Sequence, residues 1–312
     1  MFKYDYTVPD SKKIRYIIHT DCKNEADDQY TVAHILMTPK LDVKGIIAGH
    51  FDMNFRGIEP GGTAKASYDE IIKVMDLMHI SGEYPVLMGA PKAMPDEQTP
   101  IDSEGARFII EEAMKDDDRP LFIGMQGAAT DLASAILMKP EICSRMTAIF
   151  IGGGTYPEGG REFNLCQDIS AVNVLFKSQM PLWQVPMNVY KQFGVSLAEL
   201  QYKVKPHGKL GNYLFTQLAQ LNQQLGDAFN GPWPHGELWG LGDEGTIGAL
   251  MEELEKEDSF DMAPAPTVDY ETFKYIPSQT NREIRIYHSM NARLVLEDFF
   301  CKLAIQFPGA ED

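Results

Sequence analysis

Apolar runs of strand length alternate with stretches of helical spacing along the first two thirds of the chain, and this alternation limits the fold more than any other feature. A strand followed by a helix and another strand closes most simply as a parallel pair with a crossover, so a series of such units builds a mainly parallel sheet with helices on its faces. Strands are predicted over residues 13–19, 43–48, 85–88, 121–126, 147–152 and 182–185, with helices over 27–37, 103–115, 128–138 and 169–178. Tyr68, Ile71, Ile72, Met75 and Met78 mark one face of a further helix at spacings of three and four. Beyond residue 196 the pattern is mostly helical, with helices over 210–225 and 245–255, a Pro/Trp/Gly loop over 231–242, a surface connection over 262–267, a strand over 283–287 and a closing helix over 291–303. No repeat, low-complexity tract or linker interrupts this. The expectation is one α/β domain over residues 1–312: an open, mainly parallel sheet flanked by helices, Rossmann-like at its core, with a helical C-terminal portion.

Charge narrows the partners. The 312 residues carry 28 Lys and Arg against 45 Asp and Glu, a formal net charge of −17. Without a basic cluster such a surface is repelled by phosphate backbones and anionic lipid, so no nucleic acid and no membrane is expected as a partner. No apolar stretch approaches the roughly eighteen residues of a spanning helix, and Met1-Phe2-Lys3-Tyr4-Asp5-Tyr6 lacks the layout of a signal peptide. Cys22, Cys143, Cys166 and Cys301 lie far apart with no C-x-x-C spacing, which fits reduced thiols and a cytoplasmic location.

Open α/β sheets bind ligands at the carboxyl ends of their strands. The first such loop runs His19-Thr20-Asp21-Cys22-Lys23-Asn24-Glu25-Ala26-Asp27-Asp28-Gln29. Asp21, Glu25, Asp27 and Asp28, crowded at a strand end, raise one another's pKa unless a cation or a helix N-terminus compensates. A hard divalent ion is the economical compensation, and carboxylates without paired His or Cys favour Ca²⁺ or Mg²⁺ over zinc. The plainer reading makes Glu25, Asp27 and Asp28 a helix cap. Asp21, which closes an apolar strand, is harder to explain that way.

These residues carry a resemblance. Thr20-Asp21 followed by Asp27-Asp28 resembles the D-T-D-P-G-x-D-D motif of the calcium-dependent, inosine-uridine preferring nucleoside hydrolases, and is closer to divergent members reading T-D-x-x-N-E-x-D-D-Q. Met125-Gln126-Gly127-Ala128-Ala129-Thr130-Asp131-Leu132-Ala133, Ile151-Gly152-Gly153-Gly154, Glu162-Phe163-Asn164 with Asp168, and Gly242-Asp243 are similar to further family landmarks, in register along nearly the whole chain. The resemblance implies the nucleoside hydrolase fold and Ca²⁺ held by Asp21, Asp28, the carbonyl of Gln126 and Asp243. It implies a metal-activated water attacking C1′ of a ribonucleoside or related N-riboside, Asp21 as general base, and Glu162 and Asn164 on the ribose hydroxyls. It also implies a homo-oligomer, dimer or tetramer.

The chain departs from the family in three places. Cys22-Lys23-Asn24 replaces Pro-Gly and lengthens the turn, so either Glu25 or Asp27 takes the place of the second aspartate, which contacts the ribose. Where the family has an Asn after its second strand, Asp52 falls in an ungapped count, with Asn54 and His50 as neighbours. Gly242 stands where the family's enzymes keep a His that protonates the departing base; His235 and Trp239 are the candidates for the leaving-group side, with Trp233 as a further stacking surface. The Gly152–Gly154 run lacks phosphate-loop spacing and reads as a tight turn. Two other functions stay open. One is a protein that binds the sugar with weak turnover or none, which Gly242 allows. The other is a Mg²⁺-dependent aspartyl phosphatase, which needs an acid where Lys23 stands.

Overall fold

The computed structural model describes residues 2–52, 56–228, 233–251 and 259–309. Six parallel strands come first: β1 (Ile14–Thr20), β2 (Leu41–Ala48), β3 (Val86–Met88), β4 (Leu121–Gln126), β5 (Thr147–Ile151) and β6 (Leu182–Val185). Between them run α1 (Asp28–Leu36), α2 (Thr63–Leu77), α3 (Glu104–Ala113), α4 (Thr130–Met138), α5 (Phe163–Gln167) and α6 (Ile169–Lys177). The short α7 (Met187–Tyr190) leads through β7 (Gly194–Ser196) to α8 (Leu197–Lys203) and α9 (Gly208–Ala228). Strand β8 (Leu238–Gly240), a 3₁₀ turn Gly242–Glu244 and α10 (Gly245–Met251) follow. The chain closes with β9 (Phe260–Pro264), β10 (Thr267–Val268), β11 (Tyr275–Ile276), β12 (Glu283–Tyr287) and α11 (Ala292–Gln306).

Among the described residues one sheet has the order β3-β2-β1-β4-β5-β6-β12-β9, parallel throughout except for the antiparallel edge pair β12 and β9. Alternate residues of each inner strand feed two separate layers. Tyr16, Ile18 and Ile46 join the core beneath α1, α2, α9, α10 and α11, while Ile17, Ile47 and Ile123 join the core beneath α3, α4 and α6. All seven residues of β1 are therefore buried, as expected where helices cover both faces. This is the doubly wound α/β architecture the strand–helix alternation predicts.

The order reverses at β1, whose neighbours are β2 on one side and β4 on the other. Crossovers leaving β1 and β4 diverge to opposite faces, which opens a crevice at their carboxyl ends. Asp21 follows β1 and Gly127 follows β4, so the acidic loop sits at this switch point.

One expectation is corrected. Residues 262–267 are not a surface connection: Phe260–Pro264 pairs with Glu283–Tyr287 as the edge strand. An edge strand has one side with no ladder to maintain, so it tolerates Pro264 at its end. No helix among the described residues is long and apolar enough to cross a membrane, and all four cysteines are free thiols.

Candidate functional site

The crevice is a cleft of about 360 Å³, counting the part open to solvent, lined by Asp21, Asn24, Glu25, Asp27, Asp28, Gln126, Ile151, Glu162, Phe163, Asn164, Tyr190, Gly242 and Asp243. Five strand ends or the loops after them contribute. Asp27, Asp28 and Asp243 each place one carboxylate oxygen within 4.8 Å of the others, and all three are buried. Asp27 stands at the N-cap of α1 yet makes no side-chain capping bond; its Oδ2 accepts instead from the main-chain N–H of Asp243 at 3.4 Å. The capping explanation therefore fails for Asp27, and the cluster is turned inward. Asp28 accepts from the Thr20 hydroxyl at 2.5 Å, which ties the start of α1 to the end of β1.

Asp21 lies beside this trio against the end of β4. A Cβ on Gly127 would come within 3.0 Å of its Cγ, so glycine is what lets the β4 turn approach the carboxylate. Asn24 Nδ2 donates to Asp21 Oδ2 at 3.0 Å, and the main-chain carbonyl of Asp21 accepts from the N–H groups of Lys23 and Asn24. The lengthened turn is held from outside by Arg56: Nε donates to the carbonyls of Lys23 at 2.9 Å and Asn24 at 3.2 Å, and Nη2 to that of Glu25 at 2.7 Å. Asn24 is the Asn of the T-D-x-x-N-E-x-D-D-Q pattern but was given no role there, and Arg56 did not stand out in the sequence. Asn24 carried a signal in its place two residues before Ala26 in the acidic loop; Arg56, thirty residues downstream, carried none.

Burial and mutual repulsion both act on these carboxyls. Desolvation pushes Asp21, Asp27 and Asp243 well above the ordinary carboxylate range, with Asp28 adding to the rise at Asp21, Glu25 and Asp28 at Asp27, and Asp27 and Asp28 at Asp243. Asp28 is pushed up to about 6 by desolvation, restrained by its bond from Thr20. Glu25 is pushed up to about 7 by desolvation and then by Asp28 and Glu162. Two buried oxygens nearby, Asn24 Oδ1 and Gln126 Oε1, accept no hydrogen bond. Oxygen donors under mutual repulsion, with spare acceptors beside them, are what a hard divalent cation fits.

The opposite wall is built by the glycine run after β5. Gly153, at φ +88°, directs its N–H to Glu162 Oε2 at 2.7 Å, and Gly154 passes so close to the backbone of Gly159 and Gly160 that no side chain fits. The run is thus a tight turn, as its spacing suggested. Glu162 caps α5 by accepting from Asn164 N at 3.1 Å and Leu165 N at 2.9 Å, and Asn164 Nδ2 donates to the carbonyl of Ile151 at 2.9 Å.

Of the residues singled out in the sequence, Asp21, Glu25, Asp27, Asp28, Gln126, Glu162, Asn164 and Asp243 all line the cleft. Others do not. His235 is exposed, Trp239 is buried against Trp233 with ring centroids 5.7 Å apart, and neither reaches the cleft wall. Trp239 is taken up by the core beneath α9, where an aromatic buries most area. Asp52 is exposed, 3.5 Å from Nδ1 of His50, and is not in the wall; Asn54 lies outside the described residues. His50 is buried on Thr130 at 2.8 Å, and Thr130 donates to Asp168 at 2.7 Å, a network behind the cleft. The wall also holds Tyr190, which sequence reasoning missed: it follows β6 by five residues, but Met-Asn-Val-Tyr reads as packing.

A family model described as inosine-uridine preferring nucleoside hydrolase matches residues 16–272. The pyrimidine-specific ribonucleoside hydrolase RihA of Salmonella arizonae is 23% identical over 222 residues, a match covering 64% of this chain and 68% of that protein. Among solved structures, the purine-preferring ribonucleoside hydrolase from Gardnerella vaginalis superposes with a TM-score of 0.74 at 17% identity, covering 95% of this chain and all of its own. The plant nucleoside hydrolase PpNRh1 gives 0.71 at 16% identity, covering 93% and 98%.

Proposed function

The chain belongs to the inosine-uridine preferring nucleoside hydrolase family, and from that premise we propose that it hydrolyses the N-glycosidic bond of ribonucleosides or related N-ribosides with Ca²⁺ bound in the acidic cleft. The family's members are N-glycosyl hydrolases, and this chain is an enzyme of that class. The observation that carries the finer reading is the convergence of Asp27, Asp28 and Asp243 on one point beside Asp21, from stretches of chain more than two hundred residues apart.

Asp28 and Asp243 would hold the ion, with Asp21 and the carbonyl of Gln126. Asp27, whose carboxylate oxygen lies within 4.8 Å of those of Asp28 and Asp243, suits the second aspartate's place better than Glu25, which is not in that group. Bound there, a cation would offset the carboxylates' repulsion and supply Lewis acidity toward water and a sugar diol. Asp21, oriented by Asn24, would take the proton of the water that attacks C1′. Asn164 serves the ribose hydroxyls, and Glu162, whose carboxylate is taken up by protein donors, acts there through the groups it orients. As the C1′–N bond breaks, positive charge develops on the sugar, and a wall with six carboxylates favours that charge.

The same wall has no Lys or Arg among its described residues, which supports a neutral nucleoside over a phosphorylated nucleotide. One observation favours a second reading: Gly242 leaves its place in the wall without a proton donor, which suits a riboside-binding protein of weak turnover. A panel of purine and pyrimidine ribonucleosides with calcium, assayed for reducing sugar, separates the two. Ribose release that stops on chelation is expected; retention of nucleoside without release would favour binding alone. We further read the chain as one domain acting in the cytoplasm as a dimer or tetramer, which light scattering checks.

A further inference from the structure

Tyr190 ends α7 and spans the cleft wall from Glu162 to Gly242. Its hydroxyl donates to Glu162 Oε1 at 2.9 Å. That oxygen also accepts from Asn164 N, while Oε2 accepts from Gly153 N and Leu165 N. A carboxylate offers about four acceptor sites, so protein donors fill Glu162, and the phenol is the one side chain among them. The phenolic oxygen keeps its own acceptor capacity, strengthened because its proton is drawn toward a carboxylate. At the other end the ring packs on Gly242: a Cβ there would lie 2.9 Å from Tyr190 Cδ2. The ring and any side chain at position 242 compete for one space, and the ring has it.

We infer that Tyr190 is the specificity-determining residue of this cleft: its hydroxyl, braced by Glu162, meets the sugar, and its ring over Gly242 forms the wall that faces the departing group. The inference rests on the riboside reading above. An aromatic wall takes flat groups by contact and limits their size. A site built to bond a hydroxyl loses affinity sharply when the partner atom is deleted. Hydroxyl and ring therefore have separable effects.

Tyr190→Phe and Tyr190→Ala, assayed with calcium on one purine and one pyrimidine ribonucleoside, separate them. Tyr190→Phe is expected to raise KM for both substrates by about tenfold, with their ratio of kcat/KM held within about twofold. Tyr190→Ala is expected to shift that ratio by about tenfold or more. Where Tyr190→Ala fails to fold, Tyr190→Leu reads the same ratio, and the calcium-dependent rise in melting temperature checks each variant's site. KM and ratio both unchanged in every variant, or a uniform fall in kcat alone, would overturn the inference and leave Tyr190 a packing residue. If the wild type releases no ribose from any nucleoside, the hydrolase reading fails by itself. Calorimetric Kd values for the same two ribosides then read the same split, and binding of neither overturns the inference as well.

Discussion

The main-chain N–H of Asp243 donates to Oδ2 of Asp27 over 3.4 Å, across 216 positions of sequence. This contact joins the 3₁₀ turn before α10 to the N-cap of α1, and it does so between two carboxylate-bearing residues. Their side chains repel, so the arrangement needs a compensating charge or captured protons, and each expectation below follows from that need.

Asp21→Asn removes a proton acceptor while keeping size and the bond from Asn24. Ribose release is expected to fall by about a hundredfold or more, the usual worth of a positioned general base, with the thermal melt and calcium-dependent stabilisation retained. Full activity in this variant would remove Asp21 from the role.

Calcium is expected to raise the melting temperature, contributing about 2.7 kcal/mol at a hundredfold excess over its Kd. Asp243→Asn should act with opposite signs in two conditions. Without metal it relieves repulsion from Asp27 and Asp28 and leaves the protein as stable as the wild type or more so. With calcium it loses most of the stabilisation. Melting curves with calcium and with chelator check both; equal calcium shifts in the two proteins would place the ion elsewhere.

The cluster sets a pH dependence. Carboxyls raised in the fold, Asp28 to about 6 and Glu25 to about 7 with Asp21, Asp27 and Asp243 in the same direction, hold protons that the unfolded chain has released. Between roughly pH 4 and 7 the native state then binds more protons, so the cluster's contribution to metal-free stability falls as pH rises. Protons and calcium compete for the same oxygens, so the calcium-dependent shift is expected to be larger at pH 8 than at pH 5. Wild type measured against Asp243→Asn isolates the cluster from carboxyls elsewhere, such as Asp131, whose pKa is lowered.

Behind the cluster, His34 on α1 bridges Glu244 at 2.6 Å and Asp298 at 2.9 Å. His34 and Glu244 are fully buried, and the two carboxylates hold the imidazole's pKa up against the desolvation that would lower it. His34→Ala strands the Glu244 charge and is expected to cost about 3 kcal/mol, as breaking buried pairs does. Because Glu244 follows Asp243, calcium affinity should drop in the same variant. A denaturant titration and a calcium titration test the two effects, and an unchanged Kd would confine His34 to the scaffold.

Much of this was legible in the residues. Alternating apolar runs marked β1 to β6 because strands covered on both faces must be apolar throughout, and Asp21 was conspicuous because it closes such a run. Asp27 and Asp243 each had an equally good local explanation as a helix cap, and nothing local chose between that and a metal site. Residues 262–267 were read as a surface connection because Met-Ala-Pro-Ala-Pro-Thr has no strand pattern, whereas the cost of a proline in a strand depends on whether a neighbour waits on both sides. Trp239 and His235 were chosen for chemistry and proximity in sequence, yet the core took one and solvent the other.

Taken alone, the amino-acid order determined the layered α/β architecture, the family and the crowded carboxylates after β1, since these depend on periodicity and on residues close together along the chain. Folding decided what lies across the cleft: that Asp243 meets Asp27, that Arg56 clamps the turn, and that the ring of Tyr190 covers Gly242 while its hydroxyl completes Glu162. Those pairings are set by where the β1–β4 reversal brings distant loops together, and no local propensity encodes a distance between residues two hundred positions apart.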